Sequence, residues 1–245
     1  MQARPSLFIC GLAKNCEQSL LHNCGGLAQL HKNWDVSGVI IEGQSTDRTN
    51  AILKKYCENF FPKVSVEEVN PDASFTRYEK MAYLRNVCLD YAAQSKPEWI
   101  CVLDMDMFGF IGLDSYFPQN DCETGFGLMP RKYVANWHPG NPIQWNNEKW
   151  VYYDLLSVEF LDGTRPHWVG DMEYPDTKNP IQKSSVCSVD APMRTNSAFG
   201  GIAFYRFEKI RELQYEGSDC EHISFNKAAG GVFITDRIKT IYLPN

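Results

Sequence analysis

The sequence predicts an α/β protein with a mixed, mainly parallel sheet flanked by helices, and three observations carry that expectation. Over the first 110 residues, short β-branched runs alternate with longer amphipathic segments, the βαβ repetition that builds a doubly wound sheet. Acidic residues stand just past two of those runs, at Glu42 and at Asp104 and Asp106. Open parallel sheets bind ligands beyond the carboxyl ends of their strands, so these acids mark the functional edge. The composition agrees: 44% hydrophobic and 22% charged over 245 residues fit one well-buried globular domain.

In order along the chain, SLFICGLA at 6–13 reads as a short buried strand, followed by a helix from Glu17 to His31 despite Gly25-Gly26. VSGVIIE at 36–42 is the second strand, and Ser45, Thr46 and Asp47 offer capping oxygens for a helix from Thr49 to Phe60. KVSVEEV at 63–69 alternates and is β-branched, a third strand. A long helix from about Thr76 to Gln94 would bury Met81, Leu84, Val87, Cys88 and Tyr91 on one face. EWICVLDMDMFGF at 98–110 is a buried strand that runs into acidic residues. From 111 to 196 prolines gather and helical signals weaken, so strands at 125–129 and 151–160 are expected among long loops. Loops of that length in a compact domain are usually functional or mobile. Order returns with a Gly-Gly bend, strand and short helix over 197–210, a helix within 217–231 closed by Gly230-Gly231, and a last strand, VFITDRIKTIYL.

Charge and cysteine content exclude several classes. Twenty-four basic against thirty acidic side chains leave a net charge of −6, the wrong sign for a general nucleic-acid or anionic-membrane binder. No apolar run approaches the roughly 18 residues of a membrane helix, and the apolar opening runs straight into Lys14-Asn15, so it reads as a strand rather than a leader. Nine cysteines with no Cys-x-x-Cys or zinc spacing read as reduced thiols in a cytoplasmic setting.

Alternation along an extended chain places Asp104 and Asp106 on one side, where two carboxylates suit a hard cation, Mn²⁺ or Mg²⁺, bridged to substrate phosphates. Two chemistries use such a pair. In phosphotransfer the Asp-x-Asp follows the first strand; here it ends the fourth, with Phe108 where that motif takes Thr or Val. In nucleotide-sugar transfer it holds the metal that neutralises a departing diphosphate.

Four segments resemble the second class. IIEGQSTDRTNAILKKY (40–56) is similar to the strand, acidic turn, Ser-Thr-Asp-x-Thr and helix of inverting family 2 glycosyltransferases of the GT-A fold. FICGLAKNCEQSL resembles that family's first strand and Ala-Lys-Asn-Glu turn, with Cys16 inserted before the acid. LRNVCLDYA (84–92) is similar to its Ala-Arg-Asn helix, and VLDMDMF to its Asp-x-Asp strand. The likeness runs through 6–110 and resumes at 197–242, which implies a single GT-A domain: 1–110 a nucleotide-binding half and 111–245 an acceptor-binding and catalytic half.

The resemblance implies roles. Leu12 and Ala13 would lie against the nucleobase, with Glu42 bonded to base or ribose; the family's frequent second acid at that turn is Gly43 here, and Asp47 is a helix cap. Arg85 would contact the nucleotide or diphosphate, with Arg77 reaching the same side. Asp104 would touch ribose or metal and Asp106 would ligate the metal directly. In GSDCEHISFN the base that takes the acceptor's proton is Glu221, with Asp219 second, and His222 is a third metal ligand or a diphosphate contact. Acceptor recognition falls to the aromatic middle: Trp137, with Tyr153 and Asp154 as another wall. The implied partners are a nucleotide-sugar donor, UDP by the family's habit, and a glycan or other hydroxyl acceptor. Two other readings stay open: a metal-dependent nucleotidyltransferase or phosphohydrolase, which would not need Glu221, and a non-catalytic nucleotide- or carbohydrate-binding domain, which would bind without turnover.

Overall fold

The computed structural model describes residues 3–130, 150–152, 154–165 and 192–243. One mixed sheet organises them. Its first four strands, β1 (Ser6–Ala13), β2 (Asp35–Glu42), β3 (Val64–Glu68) and β4 (Trp99–Asp104), lie parallel in the order β3-β2-β1-β4. The chain therefore builds outward from β1 in one direction and then crosses to its other side. That reversal leaves a crevice at the carboxyl ends of β1 and β4, where Leu12 sits opposite Asp104.

The second half continues the sheet with both directions. β5 (Gly109–Ile111), β6 (Cys122–Pro130), β7 (Trp150–Tyr152), β8 (Met193–Thr195), β9 (Ile202–Arg206) and β10 (Val232–Ile241) complete it. β9 runs antiparallel to β4 and β6, β6 and β10 are parallel, and β5 and β8 pair antiparallel with β10. The strands of the first half are all parallel because a helical crossover separates each from the next.

Alternation along each strand feeds two cores. Phe8, Cys10 and Leu12 point to the face covered by α3 (Arg77–Ser95), whereas Leu7 and Ile9 point to the face covered by α1 (Glu17–Leu27) and α2 (Thr49–Phe60). Eight cysteines among the described residues are free thiols, seven of them buried. No helix among the described residues is long and apolar enough to cross a membrane.

Several elements depart from expectation for physical reasons. α1 gives way after Leu27 to a 3₁₀ turn, Ala28–Lys32; two glycines weaken the helix there, and Gly26 lies under Phe110 of β5. α3 buries Ala82, Arg85, Cys88 and Ala92, while Tyr91 is exposed. The buried stripe is rotated from the apolar one because a charged residue, Arg85, occupies its centre. The strand expected over 98–110 stops at Asp104; a turn carries Asp106, and β5 starts afresh at Gly109. The strand expected over 151–160 is only β7, followed by a 3₁₀ turn at Leu155–Ser157. The Gly200-Gly201 bend enters β9: a Cβ on Gly200 would stand 2.1 Å from the Gly125 carbonyl oxygen, and Gly201 adopts φ +82°. Two short helices follow, α4 (Phe207–Ile210) and α5 (Glu221–Ala228).

Candidate active site

Two adjoining cavities open at the crevice between β1 and β4. The larger, about 420 Å³, has apolar wall from Leu12, Ala13, Ile41 and Pro71, with Gly43 beside them. Lys14, Arg77 and Lys80 line it too, together with Asp104 and Asp106. The smaller, about 60 Å³, is lined by Arg85, Asp154, Phe199, Cys220, Glu221 and His222 among others. Arg77, Met81 and Asp104 belong to both walls, so the two form one groove with apolar, cationic and acidic wall.

The mouth is rigid because the loops after β1 and β2 are knitted together. Asn15, in the left-handed region at φ +48°, donates its N–H to Ser45 Oγ at 2.8 Å and accepts from Thr46 N–H at 2.8 Å. Cys16 N–H donates to Thr49 Oγ1, and Asp47 accepts from Glu17 N–H and Thr49 N–H. The Ser-Thr-Asp-x-Thr stretch is therefore a cross-loop brace; the N-cap of α2 is Arg48, without a side-chain cap, and Asp47, expected there, stands one place earlier and accepts from the Thr49 N–H. Thr76 and Glu79 form a reciprocal capping box at the start of α3, which fixes the turn that carries Arg77 and Lys80.

Arg85 sits between the two acidic clusters. Its Nη2 donates to Asp104 Oδ1 at 2.7 Å and its Nε to Glu221 Oε1 at 3.1 Å. Phe199 and Tyr215 lie 5.0 and 5.9 Å from the guanidinium carbon. Against the burial that disfavours its charge, Asp104 and Glu221 hold Arg85 well above its usual pKa. His222 stacks on Phe199 at 3.9 Å between ring centroids, with Nε2 3.5 Å from Glu221 Oε1. Its two ring nitrogens are buried with no hydrogen-bond partner among the described residues. Burial first, and the Arg85 charge second, keep its pKa well below the usual value, so the imidazole is neutral.

The carboxyls facing the groove titrate unusually. Burial, then the charge of Asp104, pushes Asp106 up to about 7, and its Oδ1 is buried without a hydrogen-bond partner. Such an orphaned oxygen beside a second carboxylate fits a divalent cation, which would supply the missing partner and relieve the repulsion. Burial, then Glu221 and Asp104, pushes Asp154 up to about 7 as well.

The structure places the expected residues unevenly. Leu12, Ala13, Asp104 and Asp106 line the larger cavity and Asp154, Glu221 and His222 the smaller. Four placements differ from the roles expected of them. Glu42 does not line the groove: it is 1% exposed, and its carboxylate accepts from the Gln44 and Ser45 N–H groups of its own turn. Arg85 lines the smaller cavity and not the larger one. Asp219 is half-exposed and paired with Arg165, outside both cavities. His222 does not join Asp104 and Asp106, and no cluster of three His, Cys, Asp or Glu suited to a metal occurs among the described residues. Trp137 and Tyr153 lie outside the described residues. Sequence reasoning passed over Lys14 and Lys80. Lys80 was legible in principle, one helical turn beyond Arg77 and just inside a capping box.

No family model and no curated protein sequence matches the chain significantly. Solved structures do. A crystal structure of S. aureus TarS 1–349 is 13% identical, superposes with a TM-score of 0.53, and is matched over 97% of this chain and 60% of that one. A longer S. aureus TarS structure gives 13% identity and a TM-score of 0.52, over 98% of this chain and 37% of that one. TarS 1–349 in complex with UDP-GlcNAc gives 12% and 0.52, over 98% and 59%. The chain thus spans about 60% of the length of the TarS 1–349 structures. At these identities the likeness speaks for the fold, and the chain has the Rossmann-like GT-A glycosyltransferase fold.

Proposed function

We propose that the chain is a glycosyltransferase that moves a sugar from a nucleoside-diphosphate donor to a hydroxyl of a glycan acceptor. One observation carries this reading: Asp104 and Glu221, 117 positions apart by their numbers, are bound by the same buried guanidinium, so the two acidic clusters face one groove. The mix of wall chemistry suits a nucleotide sugar: the base would lie against Leu12, Ala13 and Pro71, the diphosphate among Lys14, Arg77 and Lys80, and the sugar toward Glu221 and Asp154. Among fold relatives, TarS has been crystallised with UDP-GlcNAc, which supports a nucleotide-sugar donor.

Asp104 and Asp106 would hold Mn²⁺ or Mg²⁺, which when bound neutralises charge on the leaving diphosphate. The acceptor oxygen attacks the anomeric carbon and its proton passes to Glu221. The bond from that carbon to the diphosphate oxygen breaks, its electron pair leaves with the diphosphate, and configuration inverts. The eight free thiols suit a reducing, cytoplasmic setting.

A thermal-shift panel of UDP, GDP and their sugars, with and without Mn²⁺, tests donor and metal together, since a ligand that binds only the native state raises Tm. Stabilisation by a nucleoside diphosphate, enhanced by Mn²⁺, is expected; indifference to every nucleotide would overturn the reading. Glu221→Gln should leave nucleotide affinity intact and lower transfer by roughly 10²–10⁴-fold. Normal transfer by that variant would remove Glu221 from the role.

A further inference from the structure

We infer that Arg85 is a positioning residue: its one guanidinium holds Asp104 on the donor side and Glu221 on the acceptor side in a fixed register, without binding the nucleoside diphosphate. This rests on the transferase reading above and assigns the buried cation a part in it.

Three features point this way. Two of the three guanidinium nitrogens are taken, Nη2 by Asp104 at 2.7 Å and Nε by Glu221 at 3.1 Å, while Nη1 is buried without a partner among the described residues. The side chain is 2% exposed; it lines the smaller cavity but not the larger, where the nucleotide would lie. Its own position is set by packing, through the rings of Phe199 and Tyr215. The next residue secures that packing: Asn86 donates from Nδ2 to the Tyr215 carbonyl at 3.0 Å and accepts the Tyr215 N–H at 2.7 Å. Helix α3 is thereby tied to the segment that leads into α5, whose first residue is Glu221.

The chemistry requires such a device. Asp104 ends β4 and Glu221 opens α5, and two carboxylates turned toward one groove repel unless a cation stands between them. A planar guanidinium with donors on separate edges fixes both distances and directions, whereas an ammonium is a point charge on a flexible stem. A shift of about 1 Å in a reacting group can lower turnover by roughly 10²-fold with little effect on binding.

The test is a kinetic double-mutant cycle with Arg85→Lys, Glu221→Gln and the double variant. Affinity for UDP is measured by calorimetry, and turnover as nucleotide release from UDP-GlcNAc and other UDP and GDP sugars. Arg85→Lys should lower kcat by roughly 10- to 100-fold while UDP affinity stays within about 3-fold. In the Glu221→Gln background the same change should cost clearly less than in the wild type, because one of the two groups it positions is already inactive. A loss of UDP affinity as large as the loss of kcat would make Arg85 a donor contact and overturn the inference. So would losses that simply multiply. If Arg85→Lys fails to fold, Phe199→Leu, which removes a ring packed on the guanidinium, enters the same cycle with the same criteria. No turnover by the wild type on any donor would sink the transferase reading and this inference with it; wild-type turnover with multiplying losses sinks the inference alone.

Discussion

Lys14, Arg77 and Lys80 face the larger cavity, and none forms an ion pair within 4 Å among the described residues, though Lys80 Nζ donates to the Ala73 carbonyl at 3.4 Å; in a chain of net charge −6, three cations turned to one cavity suit an anionic ligand. Charge-assisted hydrogen bonds contribute about 1.5–3 kcal/mol, so Arg77→Ala and Lys80→Ala should each weaken UDP by roughly 10-fold or more while leaving uridine affinity unchanged; calorimetry with both ligands separates the two. Asp106→Ala should abolish the stimulation of UDP binding by Mn²⁺, read in the same experiment. Asp154 offers a pH test. Its folded pKa of about 7 lies above the ordinary 3.8. Between those values the folded state keeps a proton that the unfolded chain has released, so this group lowers stability as pH rises through the window. Asp154→Asn removes that titration. Its Tm relative to wild type should therefore climb from about pH 5 to about pH 8, by roughly 2–4 °C for each kcal/mol recovered. A constant difference across that range would contradict the assignment.

At the scale of elements, the first turn of α3 determines where two of those cations stand. The capping box of Thr76 and Glu79 closes that turn, and Thr76→Ala should cost about 1 kcal/mol in denaturant melts. The same variant should weaken UDP, because Arg77 and Lys80 lie on the turn that frays. The Gly200-Gly201 bend constrains the other side of the groove. An added Cβ at Gly200 would meet the Gly125 carbonyl oxygen at 2.1 Å, and backbone cannot step aside as a side chain can. Gly200→Ala should lower stability by about 1–3 kcal/mol, checked by urea unfolding.

For the whole molecule, the order β3-β2-β1-β4 followed by β9 sets the crevice of the first half beside β9, the strand that joins the second half of the sheet to it. The two halves share one sheet, so their relation is fixed by backbone hydrogen bonds between β4 and β9 as well as by Arg85. Loss of both carboxylate bonds at Arg85 would leave uncompensated buried charge, which typically costs about 3–5 kcal/mol. The architecture makes one side chain responsible for both cohesion and geometry.

The residues by themselves determined the β1 and α2 limits, the alternation that builds the first four strands, and the presence of two acidic clusters far apart in the chain. These signals are local: periodicity, turn chemistry and caps act over a few residues, so they survive in the primary order. Roles that depend on which way a side chain turns were not written there. Glu42 looks like a ligand until its carboxylate is seen bonding the N–H groups of its own turn. Arg85 looks like a contact to the nucleotide or diphosphate until α3 is seen to bury it between Asp104 and Glu221. Spacing also put Asp104 and Asp106 together for the wrong reason, since a turn and not a strand brings them to one cavity. Only the tertiary structure decided these matters, because pairing, burial and the facing of helix against strand join residues that the chain holds far apart.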